Sequence, residues 1–213
     1  MPQAAERKPA SVRPPPLDVD DTELLTAVRA GDVGSATAFH DRVRPQVDRT
    51  VRRLLGPGDP DREDIAQLAI IELVSTIDRY RGDCSLDSWT STLAARVVYK
   101  AIRRRRTERR LFAGVPPENV DAGVARLRSS PDTWMHDLLP RVLGHLRAID
   151  EGRAWAFLLH DVWGYDLREM AGIMDVSVAA AQSRLVRGRR EIHARIAQDP
   201  ELADTMSTLG GEP

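Results

Sequence analysis

A chain of 213 residues has room for one or two domains, and 42% hydrophobic with 30% charged residues is the balance of an ordinary globular protein. With 31 Lys and Arg against 32 Asp and Glu the net charge is only -1, so a nucleic-acid partner would have to be met by a local concentration of cations, not by overall charge. The single cysteine, Cys84, excludes an internal disulfide, and the scattered histidines lack zinc-site spacing. We therefore expect no metal or cofactor. No signal-peptide core or bilayer-length apolar run is present, which leads us to expect a cytoplasmic protein without membrane insertion.

Residues 1–18, with five prolines and almost no large apolar side chains, cannot bury enough surface to offset ordering entropy and read as a disordered leader. Asp20 with Glu23 three residues on has the form of a capping box, opening a helix with Leu24, Leu25 and Val28 inward and Gly31 as its stop. A second helix carries Phe39, Val43, Val47, Val51 and Leu54 to about Gly56, with Pro45 expected to kink it or break its first turn. A third begins near Asp61 and buries Ile65, Ala69, Leu73, Ile77 and Tyr80. The turn Arg81–Ser85 leads to a fourth with Leu86, Trp89, Leu93 and Val97 on one face.

Periodicity fades between about Thr107 and Pro131, where Gly114, Pro116, Pro117 and Ser129-Ser130-Pro131 mark a linker with room for a short helix around Val124. Beyond it, Leu138, Leu139, Val142 and Leu146 predict one helix, and Ala154, Phe157, Leu158 and Val162 another. No stretch alternates convincingly enough for a strand. The expected fold is all-α, with two small helical domains, 19–110 and 135–198, joined by a linker over 111–134 and followed by a flexible tail, 199–213.

The second domain ends in a helix-turn-helix pattern. Asp166 and Glu169 form a capping box ahead of Met170, Ala171 and Met174, Asp175-Val176-Ser177 makes a tight turn, and Ser177 caps a second helix. The small residues Ala179, Ala180 and Ala181 let the start of that helix approach a major-groove floor. Gln182 could then pair with an adenine edge, while Ser183, Arg184, Arg187, Arg189 and Arg190 follow for phosphates or a guanine. A solvated basic face is the plain alternative.

In the first domain, Asp61, Glu63, Asp64 and Gln67 crowd the opening turns of the third helix. The helix dipole favours acids there, so ordinary capping competes with a docking surface. Arg103 to Arg106, with Arg109 and Arg110, concentrate positive charge at the end of the fourth helix. That is also dipole-favoured, but such density repels itself and a phosphate backbone would relieve it. Trp89, on the apolar face, reads as core rather than as a base platform; Tyr99, off that face, is the better stacking candidate.

In this order and spacing the two blocks resemble an extracytoplasmic-function sigma factor, the minimal branch of the sigma-70 family of bacterial transcription initiation factors, over roughly Asp21–Arg110 and Leu138–Ile196. The resemblance implies a first domain that binds the clamp helices of core RNA polymerase and melts the downstream (-10) promoter element, and a second that reads the upstream (-35) element in double-stranded DNA. Asp61, Glu63, Asp64 and Gln67 match the family's polymerase-contacting motif. The turn Gly82–Leu86, with Asp83 and Ser85, matches the loop that captures a base of the locally melted strand. Arg96, Tyr99, Lys100, Arg103 and Arg104 fall on the melting helix, where Arg96 and Lys100 replace the usual Asn and Asp. Ser177, Ala180, Gln182, Ser183, Arg184 and Arg187 fall on the recognition helix, with Asp175 in place of a common Gly in the turn. An anti-sigma protein is a common partner in the family. The rivals are a helix-turn-helix repressor or activator independent of polymerase, and a sigma-like regulator that binds polymerase without initiating. No nucleophile elbow, phosphate-cradling loop or paired carboxylates suggest an enzyme.

Overall fold

The computed structural model describes residues 19–112 and 133–202, and every regular element among them is helical. In chain order these are α1 (Val19–Arg29), α2 (Val33–Leu55), α3 (Arg62–Thr76) with a 3₁₀ turn at Ile77–Arg79, α4 (Leu86–Phe112), α5 (Thr133–Arg147), α6 (Glu151–Phe157) continued by a π-type turn at Leu158–Val162, α7 (Leu167–Met174) and α8 (Val178–Ala197). None is long and apolar enough to cross a membrane. The expected leader, most of the linker with its short helix around Val124, most of the tail, and the side chains of Asp20, Arg109, Arg110, Leu138 and Leu139 lie outside the described residues.

The first module is built on α2. Phe39, Val43, Val47, Val51 and Leu54 recur at helical spacing, are at most 1% exposed, and form the seam against α3 and α4. The helix begins at Val33, capped by Asp32 accepting from the Ser35 N–H at 2.7 Å. It runs unbroken through Pro45, contrary to the expected broken first turn, because Pro45 sits a dozen residues in on the exposed face, where solvent can serve the orphaned carbonyl. α1 starts at Val19, ahead of Asp20, and ends in a Schellman motif: Gly31 at φ 82° donates to the Val28 carbonyl at 3.0 Å, and Asp32 to the Ala27 carbonyl at 3.1 Å. Arg42 ties three helices together, holding both oxygens of the buried Asp21 at 2.8 and 2.9 Å and Asp87 at 2.7 Å.

The second module packs α8 on α6. Gly188 is the point of closest approach: a Cβ there would lie 2.7 Å from the Arg153 carbonyl oxygen. Leu143, Leu146, Ile149, Ala154, Leu158 and Ile192 form a small core between α5, α6 and α8. Val162, expected on the inner face with Ala154 and Leu158, is 45% exposed, since the π-type turn widens the helix and shifts the register of its last residues.

The larger core runs across both modules. Tyr165, Met170, Ala171, Ile173, Met174, Ala181 and Leu185 belong to the same buried cluster as the α2, α3 and α4 residues, and α7 lies along α4. This explains a correction to α4. Leu86 is buried, but Trp89, Leu93 and Val97 are only half-buried, and the most enclosed positions are Ala94, Ala95, Val98, Tyr99 and Ile102. A helix covered on two sides buries more than the single stripe that its periodicity suggests.

Candidate functional site

The acidic start of α3 is divided by its partners. Asp61 makes no side-chain cap; its carboxylate accepts from Arg105 at 2.6 Å. Glu63 accepts twice from one Arg44 nitrogen, at 2.8 and 2.7 Å, which holds its carboxyl below the usual range. Asp64 and Gln67 stand exposed. Continuing along this outer face are Leu68, Ile71 and Val74, 54%, 59% and 47% exposed, which sequence reasoning missed. Their signal was present: from Ile65 to Val74 only Gln67 and Glu72 interrupt the apolar residues, more than one buried stripe can absorb. Between α3 and α4 this apolar edge borders a groove lined by Leu68, Ile71, Arg96, Lys100, Ala101 and Arg104.

The turn before α4 is internally braced. Gly82 takes φ 79°, the Tyr80 hydroxyl donates to the Cys84 carbonyl at 2.5 Å, and Ser85 caps α4 by accepting from the Ser88 N–H at 3.2 Å. Burial pushes the Tyr80 hydroxyl up to about 12 and also raises the Cys84 thiol. Trp89 stacks near Tyr80, 4.9 Å between ring centroids, in a half-buried position, while Asp83 is exposed.

The arginine run is not the bare cluster of charge that its sequence implies. Successive helical residues point about 100° apart, so the four diverge. Arg105 forks onto Asp59 at 2.7 and 3.0 Å, Arg106 pairs with Glu151 at 3.0 Å, and Arg104 pairs with Glu108 at 2.8 Å. Arg103 stays exposed, with its guanidinium 5.6 Å from the Tyr99 ring centre. Carboxylates within the chain thus relieve much of the self-repulsion. Lys100 is exposed, but Tyr99, expected as a stacking surface, is 4% exposed and meets Trp155 edge-on at 5.3 Å; burial raises its hydroxyl. Arg96 reaches Asp175 at 3.3 Å.

The helix-turn-helix has the expected local geometry. The Asp166 carboxylate accepts from the Arg168 and Glu169 N–H groups at 2.7 and 2.8 Å, and Glu169 returns a bond from the Asp166 N–H at 2.9 Å. Asp175 closes α7 at φ 56°, a left-handed conformation that a short acid tolerates in place of Gly. Ser177 accepts from the Ala180 N–H at 3.2 Å. On α8, Gln182, Ser183, Val186, Arg187 and Arg190 form one exposed face, with Ser177 exposed at its start and Ala180 half-buried. Arg184 departs from this face: it is half-buried against Gly152, where an added Cβ would lie 3.5 Å from its guanidinium carbon. Arg189 turns to Asp161, donating at 2.8 Å. No group of residues able to hold a metal occurs among the described residues.

Comparison with known proteins follows the same division. The Sigma-70 region 2 family model matches residues 39–108, and the Sigma-70, region 4 model matches residues 142–192. The chain is 24% identical over 181 residues to the ECF RNA polymerase sigma-E factor of Haemophilus influenzae, covering 83% of this chain and 95% of that one. It is 22% identical over 194 residues to the RNA polymerase sigma factor CnrH of Cupriavidus metallidurans, covering 87% and 100%. Among solved structures, CnrH in complex with the cytosolic domain of CnrY matches with TM-score 0.49 and 20% identity over 84% of this chain and 98% of that one. The sigma factor RpoE in complex with the anti-sigma factor NepR, from Bartonella quintana, matches with TM-score 0.44 and 16% identity over 75% and 95%.

Proposed function

The chain belongs to the sigma-70 family and is an RNA polymerase sigma factor of the extracytoplasmic-function type, and from this premise we propose how its surfaces divide the work. The outer face of α3 docks on core polymerase: Asp64 offers an exposed carboxylate and Gln67 an exposed amide hydrogen-bonded to Glu63, Asp61 and Glu63 add charge held in place by Arg105 and Arg44, and Leu68, Ile71 and Val74 supply apolar area. An exposed apolar stripe beside acids suits a partner helix that is apolar along one side and basic at its edge.

The turn with Asp83 and Ser85, together with Arg96, Tyr99, Lys100, Arg103 and Arg104 on α4, receives the melted strand of the downstream element. Cations follow the backbone there, and Tyr99 offers a ring to a base once uncovered. The exposed face of α8 enters the major groove of the upstream element, with Ala180, Gln182 and Ser183 nearest the bases and Arg187 reaching phosphate or guanine. Arg184 joins them only after leaving its place beside Gly152. The family acts by binding rather than by chemistry, and we read this chain the same way. Its place of action is the cytoplasm, where polymerase and promoter DNA are.

The observation that carries this reading is the coexistence of two surfaces of different chemistry, acidic-apolar on α3 and basic-polar on α8, each presented by residues that the core does not need. Charge reversal separates them. Asp64→Lys should abolish co-elution with core polymerase while leaving binding of the chain's second module to DNA intact, and Arg187→Glu should do the opposite. Equal loss of both activities in both variants would overturn the division.

A further inference from the structure

The turn Arg81–Ser85 has its backbone tied down at its entry, across its width and at its exit. At the entry, Nη2 of Arg29, in the last turn of α1, donates to the Ile77 carbonyl at 3.0 Å and to the Tyr80 carbonyl at 2.6 Å. Across the turn, the Tyr80 hydroxyl donates to the Cys84 carbonyl at 2.5 Å. At the exit, the Ser85 carbonyl accepts from the Trp89 N–H at 3.0 Å while its hydroxyl oxygen accepts from the Ser88 N–H at 3.2 Å. Between these ties Gly82 takes its left-handed conformation, and Arg81 and Asp83 on either side of it stand exposed.

Tyr80 and Arg29 supply more than packing requires. Tyr80 is 6% exposed and too enclosed to touch a base, and its ring lies 4.9 Å from that of Trp89. A phenylalanine would fill the same space, so what the hydroxyl adds is the bond across the turn. α1 is already fastened to the first module by buried Leu25 and by the Arg42 fork on Asp21. Arg29 therefore acts on the turn rather than on the attachment of α1, and its nearest carboxylate, Asp78, is 4.0 Å away and highly exposed. A five-residue turn left loose would surrender its backbone freedom at the moment of capture, which costs affinity and blurs the choice between bases.

Resting on the assignment of this turn to a base of the melted strand, we propose that Tyr80 and Arg29 are its positioning residues: the hydroxyl of one and the guanidinium of the other set the turn in its capturing shape before DNA arrives. Neither reads the base. They fix where Arg81, Asp83 and the intervening backbone point, and so determine how sharply one base is preferred over another.

The test uses the full chain in complex with bacterial core RNA polymerase and a library of DNA duplexes carrying a randomised unpaired segment. Sequencing the bound fraction gives, at each unpaired position, the enrichment of the preferred base over the others. This ratio does not depend on how much of the protein is active, so a merely structural role would not move it. Tyr80→Phe should lower the ratio about fivefold at one position, the factor that one ordinary hydrogen bond is worth, and leave the other positions unchanged. Arg29→Ala should lower it at the same position, and Arg29→Lys, which keeps the charge and a donor, should recover part of the loss. Circular dichroism checks that the helices persist, and hydrogen exchange at the Gly82 and Asp83 amides should quicken in Tyr80→Phe. Unchanged exchange overturns the bracing, and quicker exchange with an unchanged ratio overturns the positioning role. Asp83→Ala tests the underlying reading separately. If the parent's preference depends on Asp83 but ignores Tyr80→Phe and Arg29→Ala, the capture turn stands and the positioning role alone is wrong; if no position responds to Asp83→Ala, the assignment of the turn fails and the positioning role falls with it.

Discussion

Arg105 and Asp59 meet fork to fork, 46 residues apart in the chain, with Nη1 and Nη2 of the arginine 2.7 and 3.0 Å from the two carboxylate oxygens. The pair joins the far end of α4 to the loop before α3, and both side chains are largely enclosed. On the proposed reading two members of one arginine run have different roles, Arg105 in the fold and Arg103 toward DNA. Arg105→Ala leaves Asp59 without its main partner and should destabilise the fold by about 3 kcal/mol, the usual cost of breaking an enclosed ion pair, with secondary loss of polymerase docking. Arg103→Ala should leave the urea midpoint unchanged and lower the salt slope of DNA binding by about one contact.

The capping box at Asp166 gives a second prediction. Asp166→Ala removes the acceptor for two N–H groups and should cost about 1 kcal/mol, read as a lower urea midpoint. Asp166→Asn should recover most of it, since the amide oxygen still accepts.

Gly188 should tolerate no side chain. The Cβ of Gly188→Ala would meet a backbone carbonyl that cannot rotate away, so α8 must shift from α6, at a cost of about 1–3 kcal/mol. Because the shift displaces Arg187 and Arg190, promoter-fragment affinity should fall in proportion, measured at a temperature where the variant remains folded.

Protonation of Asp199, just past α8, supplies a pH dependence. Asp199 accepts from Arg141 at 3.0 Å and lies 3.0 Å from His145, and these bonds hold its carboxyl at about 2 against an ordinary value of 3.8. The folded group binds its proton more weakly than the unfolded one. Its stabilising contribution is therefore complete above pH 3.8, shrinks as pH falls, and is gone below about 2. Asp199→Asn should flatten the stability profile in that window and leave it unaltered at pH 7 apart from a constant loss.

What could be read from the sequence was what is decided locally. The Asp166–Glu169 box and the Ser177 cap are interactions over three residues, and Gly31 ends α1 because its conformation suits few other residues. The α2 seam followed from period alone, since one face of that helix is buried and the other is not. The burial of Tyr99 could not be read this way. Its cover comes from Trp155, 56 positions later, and nothing in the spacing of α4 distinguishes a helix with one neighbour from a helix between two. The pairing within the arginine run was hidden for the same reason: Arg105 and Arg106 find their carboxylates on other elements. Leu68, Ile71 and Val74 were legible as an excess of apolar residues, but only the packing shows which of the α3 residues face outward.

On the reading proposed above, this chain positions polymerase at promoters through surfaces on α3 and α8. The most direct measurement mixes the purified chain with bacterial core RNA polymerase, follows co-elution by size exclusion, and assays transcription from a library of promoter fragments. A stable complex is expected, one that yields discrete transcripts from fragments sharing an upstream and a downstream element and loses them with Asp64→Lys. A chain that fails to co-elute, and that instead binds a palindromic duplex as a dimer without polymerase, would contradict it.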